Sequence, residues 1–434
     1  MVNPGYKESE VGAIPESWEV KILNELGNFS KGSGVKKAEA NSGDLPCVRY
    51  GELYTHHNDV VRSFRSHISA EVAESSRAIT RGDVLFACSG ETKEEIGKCA
   101  VYLGEGRAYA GGDIVILSLK LGEPAFWGYL LNAPKVSEQK ARTGQGDAVV
   151  HTNAGALGKI IVPYPPETEQ KAIAEALTDV DGLIAGLEAM IAKKRDLRTA
   201  TMQQLLTGKT RLPGFGEGVG MKQTAIGEYP ADWKISRIAD LFSDISMGPF
   251  GSDITVSNFV SEGVPVLSGD NIRTHKLEDG FKNYVTPEKA KSLKRAVAKR
   301  GDIVVTHRGT IGQIAFVPGD SEFEHYVISQ SQFRATFADA VDPMWTALYF
   351  LSERGSAQLL EGKGHTGVPA IAQATTTFRK LLLPLPAREE QTAITEVFAD
   401  LDLAVKAAAE QLSKAKAFKQ GMMQELLTGR TRLI

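Results

Sequence analysis

Residues 305–309, Val-Thr-His-Arg-Gly, set polar groups at the end of an apolar run. Asp302 is expected to open a short strand, Ile303 to Val305, whose alternation puts Ile303 and Val305 on one face. Thr306, His307 and Arg308 then emerge where the strand stops at Gly309. An arginine so placed can grip guanine O6 and N7 with two hydrogen bonds, worth roughly 1–3 kcal/mol of discrimination. It can instead neutralise a phosphate, or pair with a nearby carboxylate such as Asp302. Other chemistries find little support. Thr207-Gly208-Lys209-Thr210 resembles the tail of a phosphate loop, but Gln203 stands where that loop needs its first glycine. Tyr164-Pro165-Pro166-Glu167 lacks the polar residue before the prolines of an amino-methyltransferase tetrad. His56, His57 and His67 read as surface polar residues, and Cys47, Cys88 and Cys99 as ordinary thiols of a reducing compartment. The cysteines have no C-x-x-C spacing and no matching histidine pair, so no metal site is expected. No nucleophile, base and orienting group can be assembled from the sequence, and no catalytic residue is named.

The positioning elements come from a duplication. Met202–Leu212 (MQQLLTGKTRL) returns as Met423–Leu433 (MQELLTGRTRL), an offset of 221, and the match extends back without a gap to Pro163 and Pro384. Further upstream, Gly12, Pro15, Trp18 and Leu26 lie opposite Gly227, Pro230, Trp233 and Leu241. The chain is a tandem repeat of a globular segment followed by a helical one. The 434 residues allow about two to four domains, and 42% hydrophobic residues is ample for real cores. No apolar stretch approaches the ~18 residues of a membrane span, and the first residues lack a signal pattern; a cytoplasmic protein is expected. A net charge of -3 carries no global nucleic-acid signature, although residues 288–300 hold six basic side chains against one acidic. That run is a solvated helix face or a phosphate-facing one.

Each helical segment begins after a proline-punctuated stretch with acidic residues in its first turn, Glu167 and Glu169 or Glu389 and Glu390, where free N–H groups favour negative charge. Apolar residues follow at heptad spacing: Ile173, Leu177, Val180, Ile184, Leu187 and Ile191, then Ile394, Phe398, Leu401, Val405, Ala408 and Leu412. The helices end at Gly208 and Gly429. Roughly 40 residues at about 1.5 Å each make a rod of about 60 Å. Such a stripe needs a partner of equal length, and the other copy supplies it, so the two helices are expected to pair antiparallel with a globular unit at each end. Gly182 and Gly186 each cost about 1 kcal/mol relative to alanine; close backbone approach is the favoured reason for them, and simple tolerance the alternative.

The globular segments share a frame and little else. Short strand-like runs between glycine turns, such as GDVLFAC (82–88) and GDIVVTH (301–307), predict mixed, mainly β domains. Two scaffolds with one frame and different loops suggest one task performed on two targets. Several motifs carry a resemblance: the P-x-P-x-x-x-E-Q-x-x-I lead-ins (Pro163, Pro165, Glu169, Gln170, Ile173; Pro384, Pro386, Glu390, Gln391, Ile394), the LLTGxTRL helix ends, the GAIPESW and GEYPADW openings, and the RGD turns at 81–83 and 300–302. Across essentially the whole chain, the sequence resembles the specificity subunit of a type I restriction-modification enzyme. One departure is visible: ACSGETKEEIGK is longer than THRGTIGQ, so loop correspondence fails where DNA reading would be expected.

The resemblance implies an α+β protein with two mainly β target-recognition domains joined by two long antiparallel coiled-coil helices in a pseudo-twofold duplication. The expected divisions are 1–162 and 213–383 for the recognition domains, and 163–212 and 384–434 for the helices. It implies a non-catalytic role reading a bipartite site on double-stranded DNA, with the helices fixing the spacer and docking two DNA adenine methyltransferase subunits. Translocase-nuclease subunits would join for restriction. S-adenosylmethionine, ATP and Mg would act in those partners, with no cofactor in this chain. The candidate DNA-contacting residues are Lys31, Ser33, Lys36, Lys37, Arg49, Tyr50, Ser89, Thr92, Lys93 and Gln145 in the first domain. In the second they are Ser252, Asn271, Arg273, His307, Arg308, Thr310, His365 and Thr366. A fused or stand-alone methyltransferase or nuclease is the competing reading, and a methyl-transfer assay on the isolated chain separates the two. A coiled-coil spacer explains the helices but not two divergent, loop-rich domains.

Overall fold

The structure is a computed structural model that describes residues 4–361 and 369–433. The chain divides into two compact units, one formed by residues up to Ala189 together with those from Ala409 on, the other by Met190–Ala408. Each unit therefore takes part of both long helices, Glu167–Leu205 and Arg388–Leu426.

The first unit contains a five-stranded sheet in the order Gly27–Lys31, Ile114–Leu119, Asp83–Ala87, Cys99–Tyr102, Val60–Val61. Its pairs are antiparallel except the last. A four-stranded sheet runs Ser66–Ile68, Leu45–Val48, Ala108–Ala110, Arg77–Ile79, with one parallel pair at its centre. The second unit repeats this plan. One sheet is ordered Phe242–Met247, Gln332–Phe337, Asp302–Thr306, Ile314–Phe316, and the other Asn283–Val285, Val264–Val266, His325–Val327, Val297–Lys299. In place of Val60–Val61 it has a single parallel bridge, Lys276 with Phe316. The central strands are buried on both faces, which is why they read as unbroken apolar runs. Ile303 and Val305 face one core and Val304 another; Val84 and Phe86 are likewise separated from Leu85 and Ala87.

In both units a strand near the start of the domain pairs with its last strand, Glu19–Ile22 with Ile161–Tyr164 and Lys234–Arg237 with Leu382–Leu385, and the last strand leads into a long helix. The heptad positions face inward. Ile173, Leu177, Val180, Leu187 and Ile191 are buried, as are Ile394, Phe398 and Ala408, while Ile184, Leu401, Val405 and Leu412 are half-buried. Within the first unit the two helices run antiparallel, shown by Lys419 on Asp181 at 2.8 Å and Lys416 on Glu188 at 2.7 Å. Within the second, Arg198 meets Asp402 at 2.6 Å, and these residues stand at the same repeat positions as Lys419 and Asp181. The two glycines require a correction. A Cβ at Gly182 or Gly186 would meet nothing within 4 Å among the described residues, so close backbone approach is not their reason and tolerance is.

The repeated motifs meet at each domain's base. Glu169 is fully buried and accepts a hydrogen bond from Trp18 Nε1 at 2.7 Å, while the Arg432 guanidinium grips both of its carboxylate oxygens. In the second unit Glu390 takes Trp233 Nε1 at 3.2 Å and the Arg211 guanidinium. The neighbouring glutamine serves the same end. Gln170 donates to Pro165 O at 2.8 Å and accepts from Glu123 N; Gln391 donates to Pro386 O at 2.9 Å and accepts from Asp342 N. Gly429 and Gly208 adopt left-handed φ of 70° and 65°. A Cβ there would strike Pro15 at 2.6 Å or Pro230 at 2.3 Å, so glycine is needed for conformation and for contact alike.

Removing one partner of a buried, hydrogen-bonded ion pair leaves an uncompensated charge and costs about 3 kcal/mol or more. Arg432→Ala and Arg211→Ala should therefore each destabilise the folded chain by about that amount. Urea unfolding of the two variants measures the loss; unchanged midpoints would show that the carboxylates find other partners.

Candidate nucleic-acid interface

In the second unit, Met247 stands opposite Phe333 and Thr306 opposite Gln332, so the segments following Met247 and Thr306 leave the sheet at the same end. Gly248 N donates to Gln332 O at 2.8 Å, and a Cβ on Gly248 would lie 1.9 Å from Ser329 O, which pins this exit to the 329–332 turn. On the other side His307 N donates to Ser331 O, Ile371 N to His307 O and Gly309 N to Pro369 O. The strand-end peptide is thus fixed by backbone bonds while the side chains of Arg308 and Thr310 project into solvent. His307 is half-buried with Nε2 3.3 Å from Gln330 O. Burial lowers its pKa; the Gln330 carbonyl opposes that shift and the Arg308 charge adds to it.

Arg308 makes no side-chain hydrogen bond or ion pair among the described residues. Asp302 cannot serve it: that carboxylate is buried at the other end of the strand, where it accepts from Thr336 Oγ1 at 2.5 Å and Lys299 N at 3.0 Å and faces Arg334 at 3.6 Å. Ser252 lies exposed in the loop after Met247. Beside it Phe250 is 82% exposed, an apolar residue between Pro249 and Gly251 that polarity alone does not point to.

Asn271 is not on an exposed loop surface. It is 2% exposed, its Oδ1 accepts from Ser268 N and Oγ at 3.0 and 2.9 Å, and its Nδ2 donates to Glu278 O at 3.0 Å. Its amide holds the turn that carries Arg273. Arg273 is exposed but pairs with Asp270, which also binds Lys282 at 2.7 Å. His365 and Thr366 lie outside the described residues. The basic run at 288–300 sits elsewhere: Lys291, Lys294 and Lys299 border a cavity of about 530 Å³ with Asp244, Thr336 and the buried Arg334, towards the Asp302 end of the sheet.

In the first unit the same edge gathers several candidates around the Gly111–Asp113 turn. Gly32 N donates to Ile114 O, Ser33 N to Ala110 O, Gly111 N to Val48 O and Cys88 N to Asp113 O, bringing together the exits after Lys31, Val48 and Ala87. Lys31, Ser33 and Tyr50 are exposed there and Arg49 is half-buried. Ser89 is buried, with Oγ 3.0 Å from His151 Nδ1, and His151 exchanges backbone hydrogen bonds with Gln145. Ser89 therefore positions His151, an exposed residue that loop composition alone did not flag. Ser33 Oγ donates to Ser75 O at 2.9 Å. Lys36 and Lys37 begin a short 3-10 turn, and Thr92 and Lys93 lie in the exposed loop before Ile96; all four are exposed. Among the described residues no group of three or more His, Cys, Asp or Glu side chains could hold a metal ion, and no helix is long and apolar enough to cross a membrane.

Comparison with known proteins agrees with the frame. The type I restriction modification DNA specificity domain matches residues 15–193 and again 230–416. The type I restriction enzyme MjaVIII specificity subunit of Methanocaldococcus jannaschii is 25% identical over 435 residues, covering 99% of this chain and 96% of that protein. The EcoBI specificity subunit of Escherichia coli is 23% identical over 291 residues, 64% of this chain and 59% of the relative. The type I S subunit from M. genitalium shares the fold, with a TM-score of 0.57 at 12% identity over 98% of this chain and 97% of that one. One domain matched twice, at the two repeats that build the two units, makes this chain a member of the type I restriction modification DNA specificity family.

Proposed function

We propose that this specificity subunit reads a bipartite site on double-stranded DNA, each domain recognising one half. The observation that carries the reading is the contrast between frame and edge. Two domains repeat one strand order, yet the side chains at equivalent strand ends differ, with Ser89 buried against His151 in one and Arg308 free in solvent among the described residues in the other. The long helices set the spacer between half-sites and dock two DNA adenine methyltransferase subunits, to which translocase-nuclease subunits are added for restriction. Those partners carry S-adenosylmethionine, ATP and Mg and perform the chemistry in the cytoplasm, flipping an adenine in each half-site for N6 methylation.

Exchanging residues 28–160 for the matching segment of a relative should change one half of the methylated motif and leave the other half and the spacer intact. Sequencing the methylated adenines in a host carrying the chimera reads this out, and a change in both halves would contradict the assignment.

Arg308 and Asn271 give opposite expectations. With Arg308 as a base reader, Arg308→Ala should weaken the cognate site by about tenfold or more, relax one position of the motif and spare random DNA. Equal loss on both duplexes, with a salt slope shallower by about one, would instead mark a phosphate contact. Asn271→Ala removes buried hydrogen bonds and should cost about 1–3 kcal/mol of stability, while the folded fraction keeps its motif. Parallel denaturation and competition binding separate the two.

A further inference from the structure

Phe250 has no work in the fold. At 82% exposure the ring gains almost none of the burial that makes phenylalanine useful in a core. Its position is nonetheless held. Phe250 N donates to Asp253 Oδ2 at 3.1 Å and Asp253 N returns a bond to Phe250 O at 2.9 Å, closing the tip into a tight turn. Gly248 N anchors the base of the loop on Gln332 O, and a side chain at Gly251 would come within 3.0 Å of Gln330 Oε1. Gln330 is exposed, and its side-chain amide makes no hydrogen bond among the described residues; its main-chain carbonyl lies against His307, next to Arg308. An exposed apolar ring, on the residue before Gly251, and an unengaged amide close to Gly251 therefore share the sheet end that also presents Arg308. The corresponding exit of the first domain is different: Lys31, Lys36 and Lys37 are exposed there and Val35 is buried. A feature confined to one domain suits discrimination better than scaffolding.

Resting on the reading that the second domain recognises DNA, we propose that Phe250 and Gln330 together read one adenine–thymine pair in the major groove. The two edges of that pair match the two side chains. Adenine offers N6 and N7 to an amide, and thymine offers a methyl group to an apolar surface. Guanine–cytosine has no methyl there, and its cytosine N4 donor would face the phenyl ring unpaired. The tip turn fixes the backbone at Phe250 before DNA arrives, so little main-chain freedom remains to be lost on contact.

The test uses the assembled complex and duplexes carrying the motif it methylates, with each thymine of the second half-site replaced in turn by deoxyuridine, which lacks only the methyl. One replacement should weaken binding by about fourfold, the worth of one buried methyl carbon. Phe250→Ala should bind the natural duplex about tenfold or more weakly and be indifferent to deoxyuridine at that one position. Gln330→Ala should lose its preference for adenine at the same pair. Phe250 is exposed, so its removal leaves folding intact. Normal affinity of Phe250→Ala overturns the proposal, as does a loss equal with thymine and deoxyuridine at every position, the outcome expected of a ring wedged between base steps. In both cases an unaltered complex that still prefers its motif to a scrambled duplex shows that DNA reading itself stands; absence of that preference removes the underlying reading.

Discussion

A carboxylate with no solvent contact must be paired or it destabilises the fold that buries it. Glu169 and Glu390 impose that condition at the first turn of each long helix, and much else in the chain satisfies it. The indole N–H of Trp18 or Trp233 takes one oxygen, and the guanidinium of Arg432 or Arg211 takes both. The Trp belongs to the opening of the same domain, whereas the Arg belongs to the helix end of the other repeat. Each unit is therefore complete only with a segment from far along the chain. Repeating MQxLLTGxTRL answers this need: the second copy supplies the arginine and the left-handed glycine that close the first unit, and the first copy closes the second.

A helix pair with an apolar seam alone could slide by a heptad at modest cost. Polar contacts at matching repeat positions oppose that. Lys419 bridges Asp181 and Asp59, and Asp181 also accepts from Tyr129 and Arg62. In the second unit Arg198 meets Asp402, with His275 Nε2 3.3 Å from the same carboxylate. Helix register and domain attachment are thus set by the same side chains. A register slip would leave several half-buried charges unpaired at once, which makes the seam specific as well as adhesive.

The frame was legible because its signals are local or repeated. Heptad spacing, acidic first turns, glycine stops and continuous apolar strands each follow from backbone geometry, and the duplication let every motif be read twice. The purpose of those motifs was not legible. Trp18, Glu169 and Arg432 were all conspicuous, yet they lie 151 and 263 residues apart and nothing local joins them. Composition also misjudged individual loops. Asn271 and Ser89 look like free polar groups, but Asn271 closes its own turn and Ser89 bonds His151 across a strand pair, whereas Phe250 looks like a core residue and is among the most exposed hydrophobics. Gly182 and Gly186 suggested intimate packing and face open space among the described residues. Side-chain type alone does not say which way a loop residue points.

Charge separates what this chain can contribute from what its assembly must. A net charge of -3 gives no overall attraction to supply the many phosphate contacts behind strong, salt-dependent DNA affinity. The basic run that could have done so lies towards the Asp302 end of its sheet, about five residues of strand from the Arg308 exit, or roughly 15 Å. At the candidate reading edges the side chains are few, and several are uncharged. Such an edge is poor at holding DNA and well suited to telling one base pair from another, because discrimination rests on a handful of groove contacts whereas general affinity scales with neutralised phosphates. On this view the chain's own part is to decide which site is bound, and few contacts suffice for that.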